Sequence, residues 1–147
     1  MSLFRTSSPR QLNLGLAVLR IAVATVFIKH GYQKLFVFGF AGVTGAFTHM
    51  GVPLPGVFGP LIGVLEFFGG IALLVGFLTR VVAAGFVLDM LGAILLVKLK
   101  GGFSGYELEF LLCASSLALF LAGGGRFSVD ALLAGRRERN SANQIAS

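Results

Sequence analysis

An all-α integral membrane fold, four helices packed as one bundle with short loops, is what this sequence predicts, and three observations predict it. Of the 147 residues, 56% are hydrophobic and only 12% charged, and the mean hydropathy of +0.90 lies outside the soluble globular range. The apolar residues gather into four stretches of roughly twenty, the length that crosses a bilayer as one helix. The ionisable residues stand at the ends of those stretches, apart from Arg20, Glu66 and Asp89. A charge at such depth costs a few kcal/mol, so those three must face the protein interior and find partners.

Taken in order, residues 1–11 read as a polar cytoplasmic tail carrying Arg5 and Arg10, with Pro9 discouraging helix before the first span. The basic start followed by apolar residues imitates a signal peptide, but Arg20 interrupts what would be its apolar core, so the segment reads as an anchor. The transmembrane domain is expected over 12–133. Its first helix spans 12–36 and ends in Lys29, His30, Tyr32 and Lys34, side chains suited to the interface. Residues 37–56 are apolar but rich in Gly and Pro and read as one longer outer loop.

The second helix, 57–78, holds Glu66 near its middle, and Thr79-Arg80 leaves so little connection that the third helix, 81–97, must return antiparallel beside it. The fourth spans 107–122 and stops at Gly123-Gly124-Gly125. Ser128 to Leu133 suits a short interfacial helix, and 134–147 forms a basic, polar, flexible tail. Gly59-x-x-x-Gly63 and the small residues Ala114, Ala118 and Ala122 signal close helix packing. A faint echo links Leu65-Glu66-Phe67 to Leu108-Glu109-Phe110.

The net charge of +6 does not point to nucleic acid, because the cations sit at helix ends and tails and not in a basic module with interleaved aromatics. Arg5, Arg10, Arg80, Arg126, Arg136, Arg137 and Arg139 fall on one side of the spans, against Lys29, Lys34, Lys98 and Lys100 on the other, which predicts cytoplasmic termini. The single cysteine, Cys113, excludes a thiol–disulfide relay within the chain and reads as a small core residue. With only His30 and His49, no metal site is expected.

Two polar layers follow from helix rise. Counted inward from the cytoplasmic ends, Arg20 lies ~13 Å deep, Glu66 ~18 Å and Asp89 ~13 Å, so Arg20 is expected to pair with Glu66 or with Asp89. This cluster reads either as a clasp that fixes helix register or as a proton-accepting, ligand-orienting site. Near the outer face, His30 and Lys34 share one helix face and meet the level of Tyr106, Glu107 and Glu109. An apolar slot with such donors suits an amphipathic, lipid-soluble ligand.

The ordered set Arg20, His30-Gly31-x-x-Lys34-Leu35, Gly51-Val52-Pro53, Glu66-x-x-Gly69-Gly70-x-x-Leu73-x-x-Gly76 and Gly125-x-x-Ser128-x-Asp130 resembles the DoxX family of small four-helix membrane proteins. That resemblance implies a bacterial inner-membrane or archaeal membrane protein and oxidoreductase-associated roles, among them a membrane subunit of a thiosulfate:quinone oxidoreductase. Vitamin K epoxide reductase-like bundles are similar in shape, but their chemistry needs cysteine pairs that this chain lacks.

Two readings of function stand side by side. One is a redox-associated membrane subunit that binds a quinone or another small lipophilic molecule, alone or as a homo-oligomer, with a soluble oxidoreductase as partner. The other is a non-catalytic scaffold that recruits soluble proteins through its basic tail, and a small transporter is a third and weaker one. The sequence has no flavin, haem or iron–sulfur motif, so electrons would come from a partner or from the quinone itself.

Overall fold

A computed structural model describes residues 7–145, with side chains through residue 138. Four helical stretches are long and apolar enough to cross a membrane, Pro9–His49, Pro55–Val75, Thr79–Gly101 and Phe103–Ala122, and no strand occurs among the described residues. The first opens with α1 (Pro9–Tyr32). Pro9 does not delay this helix but starts it, because a proline at the first helical position surrenders only an N–H that would be unpaired there anyway. Ser8 and Gln11 complete a capping box.

The expected outer loop over 37–56 is replaced by more helix. A π-helical segment, Gln33–Phe38, leads into α2 (Gly39–His49), and only residues 50–54 form a turn. A straight helix over all forty-one residues would run ~60 Å, about twice the hydrocarbon thickness. Gly39 redirects it with φ +66°, a conformation that only glycine adopts without strain. The chain then descends through α3 (Pro55–Val64), a second π segment (Leu65–Gly69) and α4 (Gly70–Val75). After the turn at Gly76 it rises through α5 (Thr79–Gly92) and a third π segment (Ala93–Lys98), and descends again in α6 (Phe103–Ala122).

The last helix, α7 (Val129–Ile145), is far longer than the short interfacial helix expected, so the sequence expected as a flexible tail continues helical through Ile145. Arg5 and the side chain of Arg139 lie outside the described residues.

Glycine brings the two halves of the bundle together. A Cβ on Gly31 would lie 2.3 Å from the Phe67 backbone nitrogen, and one on Gly70 would lie 2.7 Å from Ile28. Gly63 packs on Lys34 and Leu35, and Gly59 packs on Val43, so the Gly-x-x-x-Gly signal marks a real close approach of α3 to the first helical stretch. Between the halves Phe27 stacks on Phe86, with ring centroids 3.6 Å apart, inside a core that includes Val23, Ala24, Leu73, Ala83 and Leu119.

Candidate functional site

The buried polar residues separate into two groups at opposite ends of the bundle. At the α7 end, Arg20 pairs with neither Glu66 nor Asp89. Its Nη1 donates to the Gly124 carbonyl at 3.2 Å and its Nη2 to the Phe127 carbonyl at 2.7 Å. Asp130 completes the group: Oδ1 accepts from the Leu78 N–H at 2.8 Å and Oδ2 from the Thr79 N–H at 2.9 Å, so this carboxylate caps the start of α5. Burial pushes the Asp130 carboxyl up, but the amides of Thr79 and Leu78 and the nearby Arg20 charge outweigh it and hold the group below its ordinary value.

The depth count misplaced Arg20 for a physical reason. α1 begins well beyond the other helix ends, Asn13 accepts from the Arg126 N–H, and the turns at Gly76 and Gly123 lie level with Arg20. A Cβ on Gly76 would fall 2.0 Å from Arg20 Nη1, and one on Gly124 would fall 2.7 Å from Thr79 Oγ1. The clasp at this end is therefore a different one from the expected Arg20–Glu66–Asp89 cluster, and the motif Gly125-x-x-Ser128-x-Asp130 is the segment that holds α7 on the bundle.

At the other end, Lys34 forms an ion pair with Glu66. Each comes from a π-helical segment, where an extra residue in the turn re-aims side chains and where functional sites often gather. Lys98 ends the third π segment and pairs with Glu109 of α6. The two Leu-Glu-Phe motifs thus do the same thing: each glutamate meets a lysine from a π segment. Glu66 is 3% exposed and Asp89 9%, and the Asp89 carboxyl lies beside that of Glu66 with its Oδ2 buried and unpartnered.

These groups line one cavity of ≈ 510 Å³, together with His30 and an otherwise apolar wall that includes Phe27, Phe58, Leu61, Leu65, Leu88, Met90 and Leu112. The size lies within the range of small-molecule sites. Of the residues expected around an outer pocket, His30, Lys34 and Glu109 line it, and Glu66 and Asp89 of the expected inner cluster join them. Tyr106 and Glu107 do not. Tyr106 packs on Phe103, and Glu107 points to a shallow surface hollow with Leu111. Lys98 is the polar wall residue that the sequence reading assigned only to topology. No three His, Cys, Asp or Glu side chains converge as metal ligands among the described residues.

The DoxX family pattern matches residues 15–99, more than half of the chain and the part that carries Arg20, His30, Lys34, Glu66 and Asp89. The chain belongs to the DoxX family. Its relatives include a Bacillus subtilis protein named "Putative oxidoreductase CatD", 32% identical over 82% of this chain and 88% of its own length. A Mycobacterium tuberculosis relative, named "Uncharacterized membrane protein Rv3486", is 35% identical over 80% of each chain. The Escherichia coli inner membrane protein YqjF is 34% identical over 82% of this chain and 93% of its own length. No solved structure matches. As a DoxX-family membrane protein the chain meets lipid along its apolar helix faces, where Leu12, Val81, Leu95 and Leu121 are exposed.

Proposed function

We propose that this DoxX-family protein is a redox-associated subunit of the cytoplasmic membrane that binds a quinone or similar small lipophilic molecule in the cavity and exchanges protons with it. The observation that carries this reading is a largely apolar cavity whose polar groups converge as Lys34–Glu66, Lys98–Glu109, His30 and an Asp89 carboxyl that has no cation and keeps its Oδ2 unpartnered. One lysine beside two carboxyls leaves one carboxyl without a charge partner, and in a low-dielectric site a proton supplies the balance. That carboxyl can then donate to a ligand oxygen and take the proton back, while Lys34 and His30 orient the ligand.

A quinone takes up two electrons and two protons on reduction, and the electrons here come from a soluble oxidoreductase partner. The oxidoreductase name of CatD is in line with this reading. The decisive experiment is a melting measurement in detergent with added quinone. The shift should grow with ligand concentration, and His30→Ala should remove it while the protein stays folded. An unchanged shift in the variant would retire His30, and no shift with any quinone would favour the scaffold reading.

The termini face the cytoplasm in this reading. Arg80 reaches the Leu121 carbonyl and Arg126 meets Asn13, so these cations gather at the α7 end, away from Lys34 and Lys98. Reporters fused to either end should both show cytoplasmic activity; a periplasmic signal from either would reverse the orientation.

A further inference from the structure

Resting on the ligand site proposed above, we infer that the cavity opens sideways into the bilayer between α3 and α5 and takes a tailed lipid with a neutral, carbonyl-bearing head. The head meets Asp89 and the Lys34–Glu66 pair, and the tail leaves among the acyl chains. The first observation is continuity. The same cavity wall contains Glu66 and Asp89, both at least nine-tenths buried, and Leu88, which is 71% exposed on the membrane-facing side of α5. Leu61 on α3 and Leu96 on the third π segment are also exposed and also line it, so the space runs from the carboxyls to the lipid without crossing a polar layer.

The second observation is packing. α3 packs mainly on α2 and on the π segments beside it, and among the described residues it makes no substantial contact with α5 or α6, which leaves the lipid side of the gap thinly covered. Leu88 lies about 14 Å along its span, near the bilayer centre, where only an apolar ligand can arrive.

The charges choose the head. Lys34 and Lys98 are already engaged by Glu66 and Glu109; Glu109 keeps its Oε2 unpartnered, but Asp89 is the carboxyl of this cavity that has no cation. An anionic head would meet carboxyls with no free cation, whereas a carbonyl oxygen can accept the proton that neutralises Asp89. The unpartnered, buried Oδ2 is then the ligand's hydrogen-bond partner.

The test compares two probes on the intact protein in nanodiscs: a benzoquinone bearing a decyl chain, and the same ring without it. Each buried methylene adds favourable transfer energy, so the tailed ring should bind at least about tenfold tighter. Leu88→Trp, or Leu61→Trp on the opposite lip, should bring the tailed ring down to the affinity that the same variant has for the tailless ring, whatever that affinity is. Leu121→Trp, exposed on α6 away from the cavity, should change neither, which separates the portal from simple partitioning into lipid. Decanoate should not compete. Equal affinities, an advantage untouched by both lip variants, or competition by decanoate would overturn the lateral portal while leaving quinone binding intact. If neither ring binds, the quinone reading itself fails.

Discussion

Each end of this bundle buries a cation near a carboxylate, and the two ends differ in what is left over. At the α7 end, two guanidinium nitrogens of Arg20 and both oxygens of Asp130 are occupied, all by backbone groups; Arg20 Nε and Thr79 Oγ1 stay buried without a partner, and glycines close the space around them. At the other end, Lys34 and Glu66 pair with each other, the Asp89 carboxyl lies against Glu66 with no cation of its own and its Oδ2 unpartnered, and ≈ 510 Å³ of space adjoins them. A polar network with no space left beside it specifies packing; a spare carboxyl beside a cavity is equipped to meet a ligand. Residue types alone do not separate these cases, since both ends use one basic side chain and acidic ones.

The largest effect is expected at Arg20. Arg20→Ala leaves the Gly124 and Phe127 carbonyls without their donor and Asp130 without a nearby cation, so the melt in detergent should fall by the equivalent of about 2–4 kcal/mol. Arg20→Lys should rescue little, because a single ammonium cannot span the carbonyls of Gly124 and Phe127 as the planar guanidinium does. Near-complete rescue by lysine would mean that the clasp needs charge and not geometry.

A smaller effect comes from pH. The folded Asp130 carboxyl sits below its ordinary value, so the stability it contributes is fully present above the unfolded value of ~3.9 and is lost as pH falls through the folded one. Melting curves of the wild type should therefore show an acid decline that Asp130→Asn flattens. A parallel decline in both would remove Asp130 from the clasp's energetics.

The spans, the pairing of the second and third helices and the glycine contact at Gly59 and Gly63 were legible in the sequence, because hydrophobic length and small-residue spacing act locally. The partner of Arg20 was not. A depth count assumes that all helices begin in one plane, and α1 begins some three turns before the level at which α4 and α6 end. The helix α2 was hidden because its glycines imitate a loop, while in lipid an unpaired backbone is costlier than a glycine in a helix. Within the cavity, His30, Lys34 and Glu109 could be read from shared level and helix face. Glu107 could not face inward together with Glu109, since residues two apart on a helix point about 200° apart. The π segments that aim Lys34, Glu66 and Lys98 leave no signal in residue type.

That one end holds the fold and the other meets a ligand is checked by the melting temperatures of Asp89→Leu and Asp130→Asn with and without a decyl-substituted benzoquinone. Asp130→Asn should melt lower and keep the ligand-induced shift. Asp89→Leu should melt at or near the wild-type temperature and lose the shift, because the isobutyl group fills similar space without the O–H that a ligand carbonyl would accept. Loss of the shift in Asp130→Asn with its retention in Asp89→Leu, or equal behaviour of the two variants, would contradict the division.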